Sequence, residues 1–408
     1  MKTREVISSV IDAQRADLDK IPEGLTRELL GDIQVTPNFC SIISGIRRCG
    51  KSTLMMQLLK KCEGESLFLK FEDIRLAGFE TADFSRLDAE IKKRGAKFLF
   101  FDEIQVVDGW EIFISQKLAE DFLVFITCSN ASLLSKELGT RLTGRHLSYE
   151  LHPFSYSEFL RFRKLKNNAD NFNDYLNTGG MPEYIKNKRG IILQQLVDDI
   201  LYRDIAVRHN LRSVDGLREM TVYLISNIGK PVSARKLTGL FGISSATTVT
   251  DYFAYLKDSY LLDFLPQFDY SVKAQIRNPK KVYAMDMGIY HQIKTTFTDD
   301  YGRSLENAVY LYLRRLNKDL FYFTGKGECD FVIVEKGKAQ ACIQVCFRLD
   351  DLNMKRELGG LKAALDFFGF HEGLIITHNQ KDVIEYGGVT IKLVPATDYL
   401  LGLGSNRK

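Results

Sequence analysis

The stretch ISGIRRCGKSTLMMQL, Ile43 to Leu58, decides how the first part of this chain folds. Gly45, Gly50, Lys51 and Ser52 satisfy G-x-x-x-x-G-K-[ST] without a mismatch. An apolar run, FCSIIS (39–44), precedes the loop, and a helix-like run, STLMMQLL, follows it, which is the strand–loop–helix context the motif needs. Glycines let the backbone wrap phosphate oxygens without Cβ interference, while exposed amides and the helix dipole supply donors. The residues expected to hold ATP are therefore Gly45, Ile46, Arg47, Arg48, Cys49, Gly50, Lys51, Ser52 and Thr53. Lys51 is expected to reach the β- and γ-phosphates as a point charge, and Ser52 to ligate Mg²⁺.

Outward from the loop, KFLFFDEIQ reads as an apolar strand ending in two acids. Asp102 is expected at the strand tip to hold the Mg²⁺ shell, and Glu103 to polarise the attacking water. Between Lys51 and Asp102 there is room for SLFLKF (66–71) as an intervening strand, which favours the additional-strand class of P-loop ATPases. FLVFITCSNAS reads as the next strand, with Ser129 and Asn130 at its polar tip. An amide at Asn130 could report whether the γ-phosphate is present; a simple strand-ending turn is the alternative. In TRLTGRHLSYEL, Arg141 and Arg145 come just before the last strand. Arg145, beside Gly144, is the candidate to stabilise γ-phosphate charge in cis or from a neighbouring subunit, against the reading of a surface arginine.

Near-continuous apolar strands alternating with helix-like segments predict a parallel sheet covered on both faces. The expected architecture is α/β: a helical lead-in over 1–35, a P-loop ATPase core over 36–155, a helical lid over 156–212, a winged-helix-like segment over 213–270 and a third α/β unit over 280–400. With 45% hydrophobic and 26% charged residues, 408 residues hold apolar material for more than one core. A net charge of +4 does not announce a nucleic-acid binder. Seven scattered cysteines without a Cys-x-x-Cys pair support neither a disulfide framework nor a zinc ribbon. No apolar run reaches the roughly 20 residues of a membrane helix. A cytoplasmic protein without membrane contact is the expectation.

Together GIRRCGKSTLM, FFDEIQVVDGWE, ITCSNASLLS, LTGRHLSYELHPFSYSEFL and TGGMPEY resemble a prokaryotic family of AAA-type ATPases with a C-terminal domain of unknown function. The resemblance runs from about Thr26 to Thr390. It implies ATP binding and hydrolysis, a winged-helix middle segment, and a C-terminal domain that looks like a relic of the PD-(D/E)xK nuclease fold.

Such a nuclease needs a helix acid, a strand Asp, then an acid-x-Lys on the next strand. Glu306 lies on SLENAVYLYLRRL and Asp330 on CDFVIVE, but in ACIQVCF the acid and lysine positions fall on Gln344 and Cys346. Gln344 offers a neutral carbonyl where Mg²⁺ prefers a charged oxygen, and Cys346 supplies no cation, so nuclease activity is not expected. Glu306 and Asp330 could instead satisfy buried polar partners or hold a weak ion. The segment from Asp215 to Asp269 has five basic and six acidic residues, and the presumptive recognition helix has only Lys257 as a cation. Binding to nucleic acid is therefore expected to be weak and salt-sensitive. Arg203 and Asp204 could couple nucleotide state to this segment, or form an ordinary surface ion pair. The leading reading is a Mg²⁺-dependent ATPase whose nucleotide state repositions the later domains, with a protein partner and a homo-oligomer both compatible. An ATP-regulated DNA-binding protein and an ATP-dependent nuclease are the alternatives.

Overall fold

In the computed structural model the described residues are 1–403, apart from 19, 21, 132–141, 143, 296–299 and 317–318. Two compact units form, Met1–His152 with Asp258–Tyr260, and Pro153–Lys257 with Leu261–Lys408.

The first unit is built on five short strands: β1 (Cys40–Ser44), β2 (Ser66–Lys70), β3 (Phe98–Asp102), β4 (Leu123–Cys128) and β5 (His146–Glu150). All pair parallel in the order β2-β3-β4-β1-β5. β1 and β3 are buried at every position, which is why they read as unbroken apolar runs rather than alternating ones. SLFLKF does form a strand, but it takes the sheet edge; the strand inserted between β1 and β3 is β4. α1 (Arg4–Leu18), α2 (Lys51–Lys61), α3 (Phe84–Lys93) and α4 (Trp110–Ala119) accompany the sheet.

The N-terminal lead-in is not separate from the core, contrary to the sequence reading. Ile7, Val10, Ile11 and Gln14 are the buried face of α1, at the i, i+3, i+4, i+7 spacing of one helix stripe. The three apolar ones join the core cluster of Leu69, Phe101 and Trp110. Buried Gln14 donates to the Lys70 carbonyl (3.1 Å) and accepts from the Lys70 amide (2.8 Å), so its side chain pairs with the edge strand where a sixth strand would.

The second unit opens with α5 (Tyr156–Arg163), α6 (Ala169–Thr178), α7 (Pro182–Asn187) and α8 (Ile191–Asp199), the last running into a π-helical turn, Ile200–Ala206, that contains Arg203 and Asp204. The break expected at TGGMPEY is where α6 ends at Gly179 and Pro182 starts α7. Gly179 has φ +71°, and a Cβ on Gly180 would lie 2.3 Å from the Phe154 carbonyl oxygen, so neither position accepts a side chain. Next come α9 (Asp215–Ser226), β6 (Pro231–Val232), α10 (Ala234–Leu237), α11 (Ala246–Asp258), β7 (Leu262–Pro266), α12 (Val272–Arg277) and β8 (Lys280–Ala284). The third unit is expected to begin at 280, but residues 280–284 form β8, which pairs antiparallel with both β6 and β7, so the middle segment extends past residue 270.

α13 (Met287–Ile293) and α14 (Tyr301–Arg315) lead to a six-stranded mixed sheet of β9 (Asp319–Thr324), β10 (Glu328–Glu335), β11 (Lys338–Val345), β12 (Glu372–Thr377), β13 (Asp382–Tyr386) and β14 (Val389–Pro395), in the order β13-β14-β12-β11-β10-β9. α15 (Met354–Phe368) packs Leu358, Leu361 and Leu365 against it, in one cluster with Cys342 of β11 and Cys346 just after it. Six of the seven cysteines are buried and all are unbonded; Cys62, at the end of α2, is half-buried. Among the described residues no helix is long and apolar enough to cross a membrane.

Candidate nucleotide site

Strand register brings the chemistry together. Ser44 pairs with Cys128, and Phe101 with Ile126, so the C-terminal tips of β1, β3 and β4 share one rim of the sheet. The loop leaves β1 at this rim. Gly45 has φ +144°, and a Cβ there would lie 2.2 Å from the Leu151 carbonyl oxygen, so only glycine fits. Gly50 has φ +107° and caps α2, which begins at Lys51. Of the remaining loop residues, Ile46 and Cys49 are buried and Arg48 is exposed with φ +64°. Burial pushes the Cys49 thiol up, and its Sγ–H donates to the Leu151 carbonyl (3.3 Å). Arg47 reaches Glu72 at 3.4 Å, and Thr53 lies beside Gly24.

Lys51 is buried, and its ammonium donates to the carbonyls of Gly45 (3.0 Å) and Ile46 (3.2 Å). Ser52 donates to Asp102 Oδ2 at 3.0 Å, and Thr127 donates to Oδ1. Burial pushes the Asp102 carboxyl up, and the Thr127 hydroxyl opposes that shift while neighbouring Glu103 adds to it. Such a carboxylate gains from a cation placed beside it, and a hydroxyl with one carboxylate is the sparse oxygen set that Mg²⁺ uses next to phosphates. The residues present therefore fit that ion.

Glu103 has φ +54°, an uncommon conformation for a residue with a side chain. Its amide donates to Thr127 Oγ1 (3.0 Å), which fixes the turn. Its Oε2 accepts from Ser129 (3.2 Å) and from Gln105, while Oε1 lies 4.0 Å from the Lys51 ammonium. Asn130 is buried beside this group, its backbone engaged with Cys128 Sγ.

Arg145 is not brought to the loop by its own chain. Its carbonyl accepts from the amide of Cys40, the first residue of β1, which puts Arg145 at the opposite rim. Four strand steps of about 3.3 Å, roughly 13 Å, separate Cys40 from Ser44. Arg141 lies outside the described residues. Two contributors had no mark in the sequence reading. Thr127 could have been found as the polar residue next to Asp102 in β4. Arg27, only 5% exposed, donates to the Cys49 carbonyl (3.0 Å) and the His152 carbonyl (2.7 Å), clasping the loop from behind. These two acceptors are backbone atoms, so no residue pattern announces them.

In the second unit the retained acids meet a cation that the sequence reading did not place there. Lys281, on β8, donates to Asp330 (2.7 Å) and Glu306 (3.3 Å) and lies 2.7 Å from Glu328. Gln344 accepts from the Asp330 amide (3.1 Å) and donates to Glu357 (2.7 Å).

A family profile described as an AAA domain matches residues 38–160, and a domain of unknown function, DUF8612, matches 169–300. The uncharacterized protein MJ1544 of Methanocaldococcus jannaschii is 31% identical over 391 residues, covering 90% of this chain and 87% of that one. An uncharacterized protein of Haemophilus influenzae is 28% identical over 337 residues, covering 77% of this chain and 84% of its own. Among solved structures, AMPPCP-bound DnaA from Aquifex aeolicus is similar at 16% identity and a TM-score of 0.27, over 56% of this chain and 85% of that one, too loose a likeness to bear on function. A match of this extent to MJ1544, with a loop of this geometry inside the AAA-matched residues, makes the chain a member of the MJ1544 family with an AAA domain at its front.

Proposed function

We propose that this chain is a Mg²⁺-dependent ATPase whose nucleotide state repositions the segments after the AAA domain. The observation that carries the reading is one cluster at one rim: Lys51, Ser52, Asp102 and Glu103 within mutual reach, below a loop that tolerates only glycine at position 45. On binding, Lys51 exchanges its loop carbonyls for phosphate oxygens. Ser52 and Asp102 would hold Mg²⁺, which supplies charge neutralisation on the phosphates. Glu103, its Oε2 held by Ser129 and Gln105, keeps Oε1 to orient a water and take its proton. Asn130, buried at the tip of β4, would register the γ-phosphate. Arg145 would act across a subunit contact.

The decisive experiment pairs two variants. Lys51→Ala is expected to lose ATP binding. Glu103→Gln is expected to bind ATP normally while turnover falls about 100-fold or more, the usual scale of a general base. Normal hydrolysis by Glu103→Gln would remove Glu103 from its role.

α9, α10 and α11 with the β7–β8 hairpin support the winged-helix reading, and the six-stranded sheet carrying Glu306 and Asp330 supports a nuclease-like fold without its chemistry. The alternative of a DNA-binding protein is disfavoured because Lys257, the lone cation of α11, is 3.3 Å from Asp263. A contact with a protein is the better use of that helix.

A further inference from the structure

The carboxylates of the second unit are arranged around nitrogen. Lys281 is 2% exposed, and its three N–H donors face three different carboxylates: Asp330 at 2.7 Å, Glu328 at 2.7 Å and Glu306 at 3.3 Å. The Tyr322 ring lies 5.7 Å from the ammonium. Two of the three acids are further fixed. Glu306 accepts the Tyr283 hydroxyl (2.6 Å), and Asp330 Oδ2 accepts the Val345 amide (2.9 Å). The surrounding carboxylates hold Lys281 in its charged form against burial, while burial pushes the Glu306 carboxyl up. A fourth acid, Glu357, is taken by Arg356 and Gln344.

Access is not what keeps other cations out. The cluster lines a cleft of about 1030 Å³, room enough for a hydrated ion to enter. Yet the oxygens stand 2.7–3.3 Å from the nitrogen, an ammonium spacing, where Mg²⁺ needs about 2.1 Å and Ca²⁺ about 2.3–2.6 Å. An ammonium also has no open coordination position, so it neither activates water nor polarises a phosphoryl oxygen as a metal does.

We propose that Lys281 is a built-in cation filling a carboxylate cluster that would otherwise take a divalent metal. The second unit then binds no Mg²⁺ or Mn²⁺ there, and removing the ammonium converts the cluster into a divalent-cation site. β8 supplies this lysine from the small antiparallel sheet, so the ion pairs also tie that sheet to α14 and β10.

Mn²⁺ titration of the full chain, followed by electron paramagnetic resonance without nucleotide and in an Asp102→Asn background, tests this. With Lys281 present, no Mn²⁺ site should depend on Asp330, and Lys281→Arg should behave the same. Lys281→Ala should gain one Mn²⁺ ion, bound at least tenfold tighter than any site in the Lys281 chain, and Asp330→Asn should abolish the gain. Should Lys281→Ala fail to fold, Lys281→Gln, which keeps most of the stem, takes its place. A Mn²⁺ site in the Lys281 chain that disappears with Asp330→Asn overturns the proposal, and so does a folded Lys281→Ala chain that takes no extra ion. If neither neutral variant folds, the Lys281 chain with and without Asp330→Asn decides alone.

Discussion

Arg27 shows how much a single side chain can hold in place. It bridges the Cys49 and His152 carbonyls from a buried position, and its fork is suited to two acceptors at once. Hydrogen bonds to a charged group contribute about 1.5–3 kcal/mol each, so Arg27→Gln should lower the first unit's stability by about 3 kcal/mol. The freed loop should also bind ATP about tenfold more weakly, a 1.4 kcal/mol effect. Thermal unfolding and ATP titration would check both. Unchanged affinity in a folded variant would show that the clasp does not shape the loop. Lys51, Ser52 and Asp102 were legible because the identity of each side chain carries its chemistry. Arg27 and Lys281 were not, because a contact to distant carbonyls or acids depends on tertiary placement. For Arg145 only the role within its own chain falls away, because a residue preceding a parallel strand emerges at the N-terminal rim, whereas ligands gather at the C-terminal one.

Elements dock through backbone contacts as tight as those of the loop. Asp286 caps α13 by accepting the Ile289 amide (3.1 Å), and its other oxygen accepts the Gly180 amide (2.7 Å) from the turn after α6. Burial pushes its carboxyl up to about 6, with the Gly180, Ile289 and Gly288 amides opposing. Because the folded value exceeds the ordinary 3.8, the folded chain keeps a proton that the unfolded chain has released between those two values. Stability owed to Asp286 is thus complete below about pH 4 and is lost as pH rises through 6, by about 3 kcal/mol in all. Urea unfolding of the wild type and Asp286→Asn between pH 4 and 7.5 should show a difference in stability that changes with that sign. Parallel curves would show that Asp286 does not titrate in this window. Strands and their order of appearance were readable from apolar runs. The assignment of β8 was not, since a five-residue strand gives no sign of which sheet it will join.

Across the whole molecule the net charge is only +4, and the presumptive recognition helix contributes a single cation to it. α11 presents hydroxyls, but its one lysine is already matched by Asp263, and phosphate neutralisation dominates affinity for nucleic acid. Duplex DNA should therefore bind only weakly near 0.15 M salt. Fluorescence anisotropy with duplexes of mixed sequence would check this, and a tight complex at one defined sequence would contradict it. The division into an AAA front and a longer following part was visible in the change of pattern near residue 155. That the N-terminal helix belongs to the front unit was hidden, because an amphipathic stripe does not name the surface that will cover it.

The cysteine pattern has a practical use. Six thiols are shielded, whereas Cys62, half-buried, ends the helix that begins at Lys51, and partial burial raises its thiol above the ordinary value. A maleimide fluorophore applied to the unmutated chain should thus attach slowly and at that one place, turning the far end of the nucleotide-loop helix into an optical reporter of what occupies the other.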